Sequence, residues 1–144
     1  MDTPVDGPRA ALAKTVSPWC VERGVRLCVL FGSMARSEEH AGSDADLALW
    51  LDSGELPIER LPAWQRELGE NVGRTASLVI VTPDLDPVLG FQIARDGIAI
   101  HESDPGLWAA SRLRLWHAYQ DAVPFLRTSR RLLEELAAGA RHGT

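Results

Sequence analysis

Apolar residues in the first half of the chain recur at spacings that predict one helix followed by two strands. Residues 8–23 place apolar side chains three and four positions apart, which is the spacing of an amphipathic helix. Val25–Phe31 is a short, nearly continuous apolar run that ends at Gly32, and such a run is typical of a buried strand. After a polar loop, Asp44–Leu51 is predicted as a second strand.

The second half of the chain continues this alternation and adds a long helical segment. The predicted elements are a helix over residues 57–72, a third strand over Ala76–Thr82, a short helix near Val88–Arg95 and a short fourth strand over Ile98–His101. The pattern from Asp104 to about Ala138 is helical, and we expect Pro124 to break it into two helices because proline removes a backbone donor. This order predicts an α/β (α+β) fold with a small mixed β-sheet of about four strands and flanking helices.

Length and composition narrow the class of protein. The 144 residues suit a single domain, with a core over residues 1–103 and a C-terminal helical tail over residues 104–144 that packs on it. A net charge of −5 argues against a general nucleic-acid binder, since such proteins usually carry a basic surface. Cys20 and Cys28 form neither a disulfide framework nor a metal-binding pattern, so we expect a reducing, cytoplasmic compartment. No signal peptide or membrane-spanning run is found, so no membrane association is expected.

Two short motifs bracket the loop between the first two predicted strands. Gly32-Ser33 follows the first strand, and Asp44 and Asp46 begin the second after ten intervening residues. Side chains two positions apart on a strand face the same way, so both carboxylates are expected on one side while Ala45 enters the core. Each motif alone is usually a turn or a solvated strand start, but their combination at this spacing favours a functional site.

The residue types in these motifs suit the binding of a metal-bound triphosphate. Glycine lets the backbone approach a ligand closely, and the free N–H groups of a helix that starts at Ser33 attract phosphate oxygens. Arg36 lies one turn further on, where its guanidinium can reach a phosphate. Two adjacent carboxylates repel each other unless a divalent cation neutralises them, and magnesium prefers carboxylate and phosphate oxygens. The reaction indicated is in-line attack on the α-phosphate with pyrophosphate as the leaving group.

Gly32-Ser33, ten residues and then Asp44-x-Asp46 resembles the signature of the polymerase-β-type nucleotidyltransferase superfamily. The short chain, Arg36 and Ser43 resemble its minimal, MNT-type branch. The resemblance implies a polymerase-β-like nucleotidyltransferase core with added C-terminal helices. It implies that the two aspartates are the catalytic residues and hold Mg²⁺. It also implies that ATP or another nucleoside triphosphate is bound by Gly32, Ser33, Arg36 and Ser43.

In bacteria the MNT-type branch is commonly paired with a HEPN-type ribonuclease toxin, which implies a partner for this chain. The resemblance implies an antitoxin that binds Mg²⁺–ATP and, as some members do, transfers AMP to a tyrosine of the toxin. It spans most of residues 25–135, because Trp116–Leu133 resembles the C-terminal helices of that branch. We expect the exposed side of these helices to contact the partner, and it includes Arg127, Arg130 and Arg131. Homo-oligomer formation stays open.

One position departs from the family pattern. The third strand of the family usually carries a further carboxylate, which serves as general base and metal ligand, and Ser77 stands at that position here. Asp84 and Asp86 lie in the following loop, either as substitutes for that carboxylate or as ordinary turn residues. One alternative is therefore a catalytically degenerate antitoxin that acts by direct contact. Another is a small-molecule nucleotidyltransferase, although the chain has no room for the larger acceptor domain of that group.

Overall fold

The computed structural model describes residues 7–32, 34–35, 44–53 and 57–142 of the chain. Within these residues the helices and strands follow the order that the sequence predicts. They are α1 (Gly7–Glu22), β1 (Val25–Phe31), β2 (Ala45–Leu51), α2 (Leu61–Val72), β3 (Ala76–Ile80), α3 (Pro87–Asp96), β4 (Ile98–Glu102) and α4 (Leu107–His142). A short 3-10 turn over Ile58–Arg60 leads into α2.

The strands form the expected mixed sheet, in the order β3-β2-β1-β4. β1 runs antiparallel to both β2 and β4, whereas β2 and β3 are parallel. A parallel pair needs a crossover connection, and α2 supplies it. This topology brings the starts of β2 and β3 to the end of the sheet at which β1 finishes.

Helices cover both faces of the sheet, so both sets of alternating side chains in the central strands are buried. On the α1/α2 face, Leu47 and Leu49 of β2 join a core that includes Leu68 of α2. On the α3/α4 face, Ala48 packs in a second core that includes Ile93 of α3. Burial on both faces explains why β1 and β2 form nearly continuous apolar runs in the sequence.

The two cysteines belong to the α1/α2-face core, and both are free. A hydrogen bond between the two thiols, together with burial, raises the pKa of Cys28 well above its usual value. Cys28 is a fully buried residue of β1, and its thiol stays protonated and unreactive.

The first half of α4 packs on α3. The Arg112 Nε donates to the carbonyl oxygen of Ala94 at 2.7 Å. Phe91 of α3 stacks on Tyr119 with ring centroids 4.3 Å apart, and Trp116 lies 5.5 Å from the same ring. Beyond this contact the helix leaves the core, because the side chains of residues 130–139 are all exposed.

α4 is one helix of 36 residues, so the predicted break at Pro124 is wrong. Proline removes the N–H that would donate to the carbonyl of Gln120, but both residues are exposed, and water can donate to that carbonyl instead. The Thr128 hydroxyl donates to the Pro124 carbonyl at 3.0 Å just beyond this point. In the ranges that the structure describes, neither α4 nor any other helix is long and apolar enough to cross a membrane.

Candidate active site

A row of three cross-strand neighbours defines one end of the sheet, which we call the Asp46 end. Phe31 at the end of β1 pairs with Asp46 near the start of β2, and Asp46 pairs on its other side with Ser77 of β3. Asp46 and Ala48 are two positions apart on β2, so their side chains lie on the same side of the sheet, which is the α3/α4 face. Asp46 is half-buried and Ser77 is exposed, so this row opens to solvent on the β3 side.

The backbone at Gly32 lies directly against the Asp46 carboxylate. Gly32 has a φ of 77°, in the left-handed region that favours glycine. A Cβ added there would collide with Oδ2 of Asp46 and would lie 3.2 Å from its Cγ. Only glycine lets the chain approach the carboxylate this closely, and the two motifs that are distant in sequence are therefore adjacent in space.

Asp44 directly precedes β2 and is exposed. The strand is anchored beside it, because the Ala45 N–H donates to the Thr75 carbonyl at 2.9 Å. Ala45 and Leu47 are buried on the α1/α2 face. The same alternation, continued one residue before the strand, predicts that Asp44 lies on the side of Asp46. In the described part of the chain no three acidic, histidine or cysteine side chains come together as metal ligands. A magnesium ion on the aspartate pair would take its other ligands from phosphate and water.

The remaining residues of the predicted nucleotide-binding set, Ser33, Arg36 and Ser43, lie outside the described residues. Between them, Ala35 is buried in the α1/α2-face core and Met34 packs against the same core. The chain therefore contacts the core again just beyond the Gly32 turn.

Comparison with known proteins settles the family. The model of the family described as polymerase beta, nucleotidyltransferase matches residues 15–106, well over half of the chain. The chain belongs to the polymerase beta nucleotidyltransferase family. No curated protein sequence gives a significant match.

Solved toxin–antitoxin structures share this nucleotidyltransferase fold. A toxin–antitoxin with AMP-PNP gives a TM-score of 0.68 at 18% identity, covering 88% of this chain and 98% of the other. A tri-AMPylated Shewanella oneidensis HEPN toxin in complex with MNT antitoxin gives a TM-score of 0.64 at 16% identity, covering 90% of this chain and 98% of the other. The toxin–antitoxin MntA-HepT gives a TM-score of 0.63 at 16% identity, covering 88% of this chain and 97% of the other. Likeness at these identities establishes the fold, over nearly the whole length of the matched chains.

Ser77 occupies the place in this nucleotidyltransferase domain where a third carboxylate would face the aspartate pair. It stands beside Asp46 in the parallel β2–β3 pairing, on the same face of the sheet. A serine hydroxyl is neither a carboxylate base nor a strong ligand of magnesium. The pair Asp44 and Asp46 therefore has no acidic neighbour in the adjacent position of β3.

The loop that carries Asp84 and Asp86 lies at the opposite end of the sheet. β3 runs from Ser77 toward Val81, whose N–H donates to the Leu49 carbonyl at 2.9 Å. At about 3.3 Å per residue, the chain has moved roughly 13 Å along the strand from Ser77 before this loop begins. The loop carboxylates are therefore remote from the Asp46 end.

Asp86 has a structural role in that loop. Its Oδ1 accepts the Val88 N–H at 2.9 Å and caps the N-terminus of α3. Asp84 is an exposed residue of the preceding turn. The structure therefore favours the interpretation of Asp84 and Asp86 as turn residues over the interpretation that they replace the missing carboxylate.

Asp96 is a carboxylate at the Asp46 end for which the only sequence signal is an Asp-Gly pair before the fourth strand. It ends α3 two residues before Ile98, which pairs with Leu30 of β1. Its side chain is 8% exposed and accepts hydrogen bonds from the Arg95 guanidinium at 3.0 and 2.9 Å, which raise the pKa of Arg95.

Proposed function

We propose that this chain is an MNT-type antitoxin that binds Mg²⁺–ATP at the Asp46 end and neutralises a HEPN-type toxin in the cytoplasm. The observation that carries the proposal is the close approach of the Gly32 backbone to the Asp46 carboxylate. A phosphate chain on the Gly32 turn would meet a metal held by Asp44 and Asp46. The family match supports nucleotide chemistry, and the toxin–antitoxin structures of the same fold support the partner.

Each part of the proposed site has its own task in holding the nucleotide. The two aspartates supply carboxylate oxygens to Mg²⁺, which when bound neutralises charge on the phosphates. The Gly32 turn brings backbone close to the phosphates, and Ser33, Arg36 and Ser43 are proposed to contact them. In AMP transfer an acceptor hydroxyl oxygen bonds to the α-phosphorus while the bond from that phosphorus to pyrophosphate breaks.

We expect AMP transfer by this chain to be weak, so that neutralisation depends mainly on direct contact. A tyrosine hydroxyl has a pKa of about 10 and keeps its proton at neutral pH, so the reaction benefits from a base. General-base catalysis contributes on the order of 10²–10⁴ in rate. Ser77 cannot act as that base, and the carboxylates of Asp84 and Asp86 are at the other end of the sheet.

The exposed second half of α4 is the proposed contact surface for the toxin. Its large apolar side chains are 55–74% exposed, and they are Phe125, Leu132, Leu133 and Leu136. At about 100° per residue they lie on one side of the helix, whereas Arg127, Arg130 and Arg131 lie on the other. An apolar stripe of this width normally packs against protein. A partner that contacts both the stripe and the arginines must wrap around the helix.

Calorimetry with Mg²⁺–ATP tests the nucleotide site. Asp44→Asn should abolish metal-dependent binding and leave the fold intact, because it removes a ligand at an exposed position. Asp84→Asn is the matched control, since it neutralises an exposed carboxylate at the other end of the sheet and should bind as the wild type does. Equal affinity in the wild type and Asp44→Asn would reject the site.

Incorporation of labelled AMP into a co-purified toxin tests the transfer step. Wild type should label the toxin weakly, and Ser77→Asp should increase labelling because it places a carboxylate beside Asp46. Strong labelling by wild type that is lost when Asp84 and Asp86 are both changed to Asn would show that the loop carries the base. Strong labelling that survives this double change would show that the base lies elsewhere or that the reaction does not need one.

Co-expression with the toxin tests the contact surface independently of the nucleotide. Leu133→Asp combined with Leu136→Asp should prevent recovery of the complex, since both side chains lie on the apolar stripe. Gln65→Asp is the control, at an exposed position of α2 away from this helix. Recovery of an unchanged complex from the leucine variant would place the contact elsewhere.

A further inference from the structure

We propose that a second site, separate from the aspartate pair, binds a small organic anion at the opposite end of the sheet. The site is a cavity of about 360 Å³ on the α3/α4 face, bounded by the start of α3 and the first half of α4. We call it the far-end cavity. Its ligand class is an apolar or aromatic body that carries one carboxylate or phosphate head.

A β-bulge turns Arg26 into this cavity. Val25 and Leu27 of β1 pair with the consecutive residues Leu51 and Trp50 of β2, so Arg26 is an extra residue in the strand. As a result Val25 packs in the α1/α2-face core while Leu27, two positions later, packs in the α3/α4-face core. Bulges re-aim side chains in this way and are frequent beside functional sites. Arg26 accordingly lines the far-end cavity.

Two polar atoms among the cavity-lining residues are buried and have no hydrogen-bond partner among the described residues. They are Nε of Arg26 and Oγ of Ser111, and Ser111 is only 2% exposed. Buried polar atoms in folded proteins are nearly always satisfied, so both require a partner. One water molecule takes roughly 30 Å³ of liquid volume, which is about a tenth of the cavity. The space is therefore large enough for an organic molecule as well as for water.

The lining of the far-end cavity specifies the chemistry of the ligand. The lining includes two arginines, Arg26 and Arg114, and the buried Ser111. Arginine recognises carboxylate and phosphate oxygens through paired hydrogen bonds. The one acidic side chain in the lining, Asp86, already accepts the Val88 N–H at 2.9 Å.

Most of the remaining wall is apolar and includes an aromatic ring. Its members include Trp50, Val81, Pro83, Leu85 and Leu115. Small-molecule sites typically combine such an apolar wall with a few converging polar groups. A ligand that satisfies both parts has an anionic head and an apolar body.

The far-end cavity is distinct from the nucleotide site by position along β1. Arg26 lies five residues before Phe31, the cross-strand neighbour of Asp46. At about 3.3 Å per residue this separation is roughly 16 Å. Binding at the far end therefore needs neither the aspartate pair nor a metal ion, and it can be measured in the presence of a chelator.

Titration with phenyl phosphate and phenylacetate, with EDTA present, tests this proposal. Benzyl alcohol is the uncharged probe of similar size. Calorimetry gives the affinity, and the indole N–H resonance of Trp50, assigned with Trp50→Phe, reports the location. Arg26→Gln and Arg114→Gln should each weaken binding of the anions at least tenfold, and Ser111→Ala should weaken it less. Arg66→Gln, at an exposed position of α2, should leave it unchanged.

The expected result is saturable binding of at least one anion, with a shift of the Trp50 resonance and much weaker binding of benzyl alcohol. Failure of both anions to bind at millimolar concentration would overturn the proposal. Equal binding of the alcohol, or unchanged affinity in both arginine variants, would also overturn it. Loss of binding in Asp44→Asn would show that the probes occupy the nucleotide site instead. Arg114 is exposed, so its variant gives an answer even if Arg26→Gln does not fold.

Discussion

Gly32→Ala is expected to destabilise the fold slightly and to weaken Mg²⁺–ATP binding strongly, through two separable effects. The first is backbone strain, because a φ of 77° costs a non-glycine residue about 1–2 kcal/mol. The second is displacement, because the added methyl group would collide with the Asp46 Oδ2 and would lie 3.2 Å from its Cγ. The Asp46 carboxylate must move, so one of the two proposed metal ligands leaves its position.

Gly73→Ala isolates the first effect. Gly73 ends α2 with a φ of 72°, nearly the same backbone conformation, but a Cβ there meets no atom within 4 Å. It should therefore lose a similar 1–2 kcal/mol of stability, as a rough estimate from the same strain. It should keep the nucleotide affinity of the wild type, because it lies on the crossover between β2 and β3 and touches no part of the site.

Urea denaturation and calorimetry with Mg²⁺–ATP distinguish the two effects. Both variants should unfold at lower urea than the wild type, and by similar amounts. Only Gly32→Ala should lose affinity, by at least about tenfold, which corresponds to about 1.4 kcal/mol. If Gly32→Ala binds Mg²⁺–ATP as tightly as Gly73→Ala does, the contact between Gly32 and Asp46 has no part in nucleotide binding.

Two further predictions concern stability. Burial lowers the pKa of His101, against opposing effects of a hydrogen bond with the Val25 backbone and the charge of Asp52. The unfolded chain therefore takes up the proton first as the pH falls below about 6.5, and stability declines until the pH passes the lowered folded pKa. The urea midpoint of the wild type should therefore fall between neutral and mildly acidic pH. This fall should be lost in His101→Gln, and a fall of the same size in that variant would show that His101 does not cause it. Pro124→Ala should increase amide-exchange protection around residue 124 in α4, because alanine restores the missing backbone donor; unchanged protection would show that the proline imposes no local strain.

The sheet could be predicted from the sequence because its strands are buried on both faces. Val25–Phe31 is apolar at nearly every position, and its bounds in the structure are those of the predicted strand. The third predicted strand is shorter in the structure, since β3 ends at Ile80, although the Val81 N–H still bonds to Leu49. The ends of a strand are set by its pairing with neighbouring strands. The pattern of apolar residues along one segment does not contain that information.

Features that depend on tertiary pairing could not be read from the sequence. The bulge at Arg26 appears only when Val25 and Leu27 are paired with consecutive residues of β2. Proline at position 124 carries the same local signal whether its helix is exposed or packed, so the continuity of α4 was not predictable from composition. The spacing of the two motifs, by contrast, was informative, because a strand-turn-strand connection brings Gly32 back to Asp46.

The parallel pairing of β2 and β3 limits where a third carboxylate can stand. In a parallel pair the segment after β3 always lies away from the start of β2, so Asp84 and Asp86 cannot approach Asp46 while the pairing holds. One residue further along β3, the Leu78 side chain points to the other side of the sheet and packs on the α1/α2 face. Two residues further, Val79 pairs with the buried Ala48 in the α3/α4-face core, where an unpaired carboxylate would be costly. Within β3, Ser77 is thus the position that pairs with Asp46, lies on the same face of the sheet and is open to solvent. Ser77→Asp is therefore the substitution in that strand that would place a third carboxylate beside the aspartate pair.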